Sequence, residues 1–505
     1  MSPPPSSSKT TDPQPDLRPD LQSNLKSRLL GGTAWITLAE ALILPTGFIT
    51  LTFLTRQLGT EGYGLFALAA TLVTWIEWGL NSVFSRTTIK FVSEAEDNAT
   101  AIFPWKGFAI ATSVLRAQLG CGLLAALIVI LAAPTIATLL HEPTLTPLLR
   151  LFALEIPLVN LAQAHQNILA GLGRFGPRAF ATAVRWIARL LFIVGFVSLG
   201  FSLMGAILGS LAAMLADVLV CRLYIQPSLL APSTFPLKAL AGYAVPLFLA
   251  ALSTRLFAKL DLIALKALGG TAEQAGLYAV AQNLALFGGV MSPALAPVLI
   301  ATVSQLLGQK EITKVRSLSR SAMRVVLLHI PFAALLASTA RELVPMLFGA
   351  PFIPAATLFG LLIFSTIGTV MIAVTSAILV ASDRPIWTAI LTVPMPLVAM
   401  VAHWLLVPSL GAVGASLATL LVATGGSLAG VVAVYARWRV LPAGMTLVRC
   451  CLVGFVAGVI AQYWSTPGLW VLLKLFVGAI AIVVLLWLLG EVNSEDKKLL
   501  QTYLK

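Results

Sequence analysis

Apolar runs of about twenty residues or more recur in this chain from Gly31 almost to its end. A helix needs about that length to cross the ~30 Å hydrocarbon core of a bilayer. Soluble domains average about 25% charged residues. Here 58% of residues are hydrophobic and only 10% are charged, more apolar surface than a soluble core needs. The chain is therefore read as an all-α polytopic membrane protein.

Cutting at polar, Gly and Pro punctuation gives about fourteen transmembrane helices: 31–55, 63–89, 108–139, 150–171, 178–200, 203–225, 238–267, 275–302, 321–340, 355–380, 386–407, 411–436, 447–465 and 468–490. The start, rich in Pro and Ser, lacks the basic and apolar segments of a signal peptide and is expected to be a disordered tail over 1–28. A second tail is expected over 491–505.

The net charge of +13 is explained by topology. Loops alternate between two sets, and most of the 33 Lys and Arg residues fall in the set holding both termini. The opposite set keeps Arg56, Arg150, Lys266 and Arg341. Cytoplasmic loops carry the excess of cations, so both termini are expected to be cytoplasmic. Contact with anionic membrane lipids is a secondary consequence, and no nucleic-acid partner is needed.

The chain also repeats itself. "RQLGTEGYGLFALA" (Arg56 to Ala69) matches "KALGGTAEQAGLYAVA" (Lys266 to Ala281), "ILAGLGR" (Ile168 to Arg174) matches "ILVASDR" (Ile378 to Arg384), and "GAILGSLA" (Gly205 to Ala212) matches "GAVGASLA" (Gly411 to Ala418). The offsets span six helices. Two pseudo-repeated six-helix lobes are thus expected, an N-lobe over 29–226 and a C-lobe over 227–440, followed by two further helices over 441–490. Such repeats place a substrate path between the lobes near the bilayer midplane and produce alternating access by rocking.

Four segments carry a family resemblance: "RQLGTEGYGLFALA", "WIEWGLNSVFSR" (Trp75 to Arg86), "KLDLIALKALGGTAEQAGLYAVA" (Lys259 to Ala281) and "LVPMLFGAPFIPAATLFGLL" (Leu343 to Leu362). In order and together they resemble the polysaccharide transport family of the multidrug/oligosaccharidyl-lipid/polysaccharide exporter superfamily. Glu77 stands where that family often has Asp. The resemblance implies a flippase in the cytoplasmic (inner) membrane that moves undecaprenyl-pyrophosphate-linked oligosaccharide from the inner to the outer leaflet. It implies a lipid-linked oligosaccharide as substrate, with glycan polymerase or export proteins as candidate partners. A lipid II flippase and a multidrug or organic-cation exporter are the alternatives. No enzymatic activity is expected, because the outward loops are short.

Charges inside spans mark cavities or interhelical pairs, since each costs about 2.5–3.5 kcal/mol to insert. Arg255 and Lys259 project within about 40° of one another on a helix, and Asp261 points away. A pyrophosphate can satisfy such cations, with a guanidinium gripping its oxygens bidentately. Arg185 and Arg189 repeat the four-residue spacing near the cytoplasmic end and are candidates for first contact with the headgroup phosphate. Glu40 and Glu77 are candidates for exchanging a coupling cation, H+ or Na+, or for pairing with Arg255 and Lys259. Glu155 and Asp217 read as pairing groups, Lys266 as interfacial, and His165, His329 and His403 as packing residues.

Cys121, Cys221, Cys450 and Cys451 read as small buried hydrophobes without metal-ligand spacing, and no cofactor or metal is expected. No phosphate-cradling G-x-x-x-x-G-K-[ST] run occurs, so energy for uphill transport would come from an ion gradient or the membrane potential. Pro246 and Pro293 are hinge candidates.

Overall fold

The computed structural model describes residues 35–97, 105–226, 259–289, 292–382, 385–466 and 468–491. The expected tails, apart from Glu491, and Pro246 and Arg255 lie outside them. Among the described residues nine helices are long and apolar enough to cross a membrane. Three of these run 48, 50 and 52 residues. At about 1.5 Å per residue each is more than twice the hydrocarbon thickness and must cross twice. Each is broken where a glycine takes positive φ: Gly59 (68°), Gly200 (93°) and Gly411 (55°). The breaks thus fall at glycines that reach the left-handed region without a Cβ penalty. The full count of crossings rests on expected span seven, 238–267, of which only 259–267 is described.

In the N-lobe, α1 (Ile43–Asp97) continues from helical residues 35–41 and is followed by α2 (Trp105–Leu139), α3 (Leu145–Phe152), α4 (Glu155–Gly171), α5 (Phe175–Phe196) and α6 (Ser202–Tyr224). The C-lobe holds α7 (259–267), α8 (Ala272–Ala285), α9 (Ser292–Gly308), α10 (Ile312–Leu327), α11 (His329–Phe348), α12 (Ala355–Ala381), α13 (Pro385–Thr392) and α14 (Met395–Trp438). Two last helices, α15 (Gly444–Tyr463) and α16 (Trp470–Leu488), pack against each other and against α11.

Several boundaries differ from the hydropathy reading. Expected span four is two helices, α3 and α4, parted at Ala153 and Leu154. Expected span eight is α8, a 3-10 turn at Leu286–Gly289, and α9. Pro293 accordingly sits in the first turn of α9, where a missing N–H breaks no bond, rather than mid-helix. The basic stretch 310–324, expected as a loop, is largely helix α10. Its buried residues Val315, Ser319, Met323 and Val326 repeat at helical spacing, so its charges mark one face and not a break in the helix.

Large apolar side chains such as Leu131, Phe455 and Trp404 lie 65–71% exposed on the outer helix faces, as a lipid-facing surface requires. The buried cores are distributed unequally. On the face holding Arg56 and Lys266, one continuous core joins both lobes, running through Leu54, Leu68, Phe152, Tyr278, Phe348 and Phe359. Towards the opposite face the lobes have separate cores, around Val92, Ile168 and Cys221 in the N-lobe and around Val315, Ile378 and Trp438 in the C-lobe. Among the described residues the lobes share one core at one end and have separate cores at the other. Of the four cysteines, Cys221 and Cys450 are buried and Cys121 half-buried, but Cys451 is exposed, on the lipid side of α15.

Candidate functional site

The fused end is built from the repeated sequence. Helices α1 and α8 cross at Gly64 and Gly276, equivalent positions in the two copies of the motif. A Cβ on Gly64 would sit 1.9 Å from the Ala272 carbonyl oxygen, and one on Gly276 would sit 2.0 Å from that of Thr60. Thr60 and Ala272 are themselves equivalent, so the motif packs against its own copy. Small residues let the two backbones touch, a contact that supplies close packing where lipid supplies no hydrophobic drive.

The cations opening each copy reach across to the other lobe. Arg56 donates from Nε to the Leu347 carbonyl (3.0 Å) and from Nη2 to the Met346 carbonyl (2.6 Å), at the C-terminal end of α11. Lys266 donates to Glu142, just after the end of α2, at 3.0 Å. Lys266 is therefore buried in a pair between lobes, where Glu142 supplies its counter-charge. Burial raises the Glu142 pKa, but hydrogen bonds from Thr144 and Lys266 and the Lys266 charge outweigh it and hold the carboxyl below its ordinary range.

Under this closure lies a cavity of about 350 Å³ between α1, α5 and α8. Its polar lining comprises Thr46, Thr50, Tyr63, Trp186, Arg189 and Asn283. Tyr63 stands at the closed end, where its hydroxyl accepts from Asn283 Nδ2 at 3.2 Å. Among the described residues Arg189 is the cavity's charged side chain. Behind it, Glu77 and Glu155 lie near enough for their charges to act on each other and on Arg189. Glu155 accepts from Ser210 Oγ at 2.8 Å, while among the described residues its second oxygen and Oε1 of Glu77 are buried without a hydrogen-bond partner.

The paired arginines of α5 separate in space. Arg189 lines the cavity, whereas Arg185 is buried, 3.8 Å from Asp217 and stacked 4.8 Å from the Trp186 ring. Asp217 also accepts from Gln166 Nε2 at 2.9 Å. Glu40 is exposed on the helical stretch before α1, and its charge acts on Arg178 and Asp217.

In α7, Lys259 donates to Gln282 Oε1 at 2.9 Å, and the same Gln282 amide donates to Asp261 at 2.9 and 3.0 Å. Tyr278 Oη adds a 2.7 Å bond to Asp261. One glutamine therefore bridges the two charges that helix geometry holds apart. The structure brings Glu77 to Arg189, but Lys259 and Arg185 lie outside the cavity lining. Tyr63, Trp186 and Asn283 escape a search for charges. Tyr63 lies in the repeated motif beside its crossing glycine, but the second copy has Ala275 at the equivalent position, so the repeat does not mark it. Among the described residues no cluster of three or more His, Cys, Asp or Glu side chains could hold a metal.

Residues 29–307 match the family model for polysaccharide biosynthesis proteins. The chain belongs to that family. No curated protein matches it. Among solved structures, this family member is similar to the lipid II flippase MurJ in an inward closed conformation. The identity is 15% and the TM-score 0.67, with 89% of this chain and 98% of that one covered. It is also similar to an inward-facing multidrug resistance MATE family transporter of the MOP superfamily, at 17% identity and TM-score 0.64, covering 77% and 95%. A third likeness, at 15% identity and TM-score 0.53 over 82% and 96%, is to a MOP superfamily transporter from Pyrococcus furiosus described as having reversed binding-pocket polarity. These likenesses give the polysaccharide biosynthesis family member the fold of those proteins, and its long apolar helices make it a multi-pass membrane protein.

Proposed function

We propose that this chain is a flippase of the cytoplasmic membrane that carries undecaprenyl-pyrophosphate-linked oligosaccharide from the inner to the outer leaflet by alternating access, for polysaccharide export. The observation that carries the reading is Arg189, the one charged side chain among the described residues lining a cavity between two lobes that share a core at one end and have separate cores at the other. A guanidinium in such a wall grips a pyrophosphate while the polyprenyl tail stays in lipid. A cation exporter needs the opposite polarity, an acid-lined cavity.

The parted end faces the cation-rich loops, the cytoplasmic side by the distribution of charge, so the cavity is reached from the leaflet where the substrate is made. A cavity of about 350 Å³ is at the small end of the ~300–1,000 Å³ range of ligand pockets. It admits the pyrophosphate and little of the glycan, so the lobes must part further for the sugars to pass.

Glu77 and Glu155 behind Arg189 are the groups positioned to take up a proton or Na+ when the pyrophosphate leaves. Two carboxylates beside one guanidinium leave an unbalanced negative charge that a cation offsets. Arg255, outside the described residues, and Lys259, outside the cavity lining, are kept as proposed contacts of the substrate, and no catalytic residue is assigned.

The test is flipping of a fluorescent polyprenyl-pyrophosphate glycan in proteoliposomes, with lipid II as the comparison substrate. A hydrogen bond between charged groups contributes about 1.5–3 kcal/mol, so Arg189→Gln should slow flipping about tenfold or more while Arg185→Gln acts mainly on stability. Flipping by Arg189→Gln at the wild-type rate would overturn the phosphate role. Faster transport of lipid II than of the glycan would favour the lipid II reading.

A further inference from the structure

Far from the inter-lobe cavity, a second cleft of about 660 Å³ opens where α10, the end of α14, the start of α15 and the end of α16 meet. Five arginines line it, Arg316, Arg320, Arg324, Arg439 and Arg449, against one acid among the described residues, Glu491. The concentration of charge follows from spacing. Arg316, Arg320 and Arg324 stand four residues apart and form one stripe of α10, about 6 Å apart along the axis. Thr313, Ser317 and Ser321 form a parallel stripe of hydroxyls beside them.

Glu491 is already committed. It is 4% exposed and accepts from Arg324 Nε at 2.8 Å, from Arg449 Nη1 at 2.9 Å and from the Thr446 hydroxyl. Burial raises its pKa, but these donors outweigh that and hold the carboxyl below its ordinary range, so it stays ionised and serves two arginines at once. Arg316 and Arg320 are exposed and pair with no acid among the described residues. Arg439 ends α14 in the left-handed conformation, φ 55°, which L residues other than Asn and Asp seldom adopt. That backbone turn brings a fifth guanidinium to the same cleft. Its rim carries Met445, 64% exposed, first in the outward apolar row Met445, Val448 and Leu452 of α15, so the cleft borders the lipid-facing surface.

We propose that this cleft binds the phosphate of an anionic phospholipid headgroup, with Arg316, Arg320 and Arg439 as phosphate ligands, the α10 hydroxyls as further donors, and the acyl chains running down the apolar row of α15. Phosphate oxygens match guanidinium forks bidentately, and basic pockets between spanning helices are suited to such headgroups. The site joins α10 of the C-lobe to the appended pair α15 and α16, so its occupancy braces the two helices outside the repeats against the lobe. It needs neither the substrate nor the orientation proposed above.

The test is binding of short-chain phosphatidylglycerol to the purified full-length chain in neutral detergent, with thermal unfolding as a second readout. Arg316→Gln/Arg320→Gln breaks no ion pair among the described residues and is expected to fold. Losing two charge-assisted contacts should weaken phosphatidylglycerol affinity at least tenfold and remove the rise in melting temperature that the lipid gives the wild type. Arg316→Lys/Arg320→Lys should lie between, since lysine keeps the charge but not the fork. Lys314→Gln, on another face of the same helix, should bind as the wild type does. Unchanged affinity in the double Gln variant, or an equal loss in Lys314→Gln, would overturn the site. Protection of the wild type by inorganic phosphate at the same concentration would overturn the lipid as its source.

Discussion

If the crossing of α1 and α8 seals the cavity, a single methyl group there should unseal it. In Gly64→Ala the new Cβ would stand 1.9 Å from the Ala272 carbonyl oxygen and 2.8 Å from the Gly276 nitrogen. Both are backbone atoms and cannot rotate away. The first distance is about 1.5 Å short of an ordinary contact, so the helices must separate by that order. Overpacking of this kind costs about 1–3 kcal/mol. The strain exists only while the lobes are fused at this end. It should therefore shift the balance towards the conformation open there by roughly 5- to 150-fold. A cysteine at Asn283, in the cavity lining, reports the shift when exposed Cys451 and half-buried Cys121 are replaced by serine. Labelling by a membrane-impermeant thiol reagent from the Arg56 face should accelerate in Gly64→Ala and in Gly276→Ala. A rate equal to that of the glycine parent, in protein that melts as folded, would refute the assignment of this crossing as the seal.

Two further outcomes follow from ion pairs. The Glu142 carboxyl is held below its ordinary range by Lys266, so the clasp is intact above the ordinary carboxylate pKa of about 4.3 and is lost as pH falls through the lowered value. Labelling of the Asn283 cysteine should thus rise only on acidification below that range, and Glu142→Gln should label quickly at every pH. Lys474, 1% exposed within α16, donates to Glu342 at 2.8 and 3.0 Å. Removing one partner of a buried pair costs about 3–5 kcal/mol, whereas replacing both by apolar groups is often neutral. Melting temperatures should therefore rank Glu342→Gln well below Lys474→Met/Glu342→Leu, and the opposite order would show that the pair itself stabilises the α16 contact.

The membrane class and the two lobes were legible because lipid imposes long apolar helices and because the repeat survives as readable strings. The same strings marked Arg56 and Lys266, although nothing in them told that each cation crosses to the other lobe. Hydropathy misleads at α10, where charge density reads as a loop while Val315, Ser319 and Met323 keep a helical period beneath it. Its span boundaries fall at or beside Gly59, Gly200 and Gly411, where the backbone needs positive φ, while within expected span eleven the helix breaks at Val393 and Pro394. The candidate site was half visible. In-span charge singled out Arg189 and Glu77, but the four-residue spacing of Arg185 and Arg189 could not reveal that Asp217, from the next helix, takes Arg185 for itself. Tyr63, Trp186 and Asn283 are neutral, and only tertiary packing gathers them.

The paired glycine crossing has the form of an isologous dimer interface housed within one chain. Thr60 meets Gly276 as Ala272 meets Gly64, so each lobe presents the surface that its own duplicate would fit. The two-fold axis runs through this contact, and neither lobe is the fixed frame on which the other swings. A side chain added on either partner strains the same pair of helices, so closure at this end tolerates no asymmetry between the copies: the seal is as small as its larger half allows.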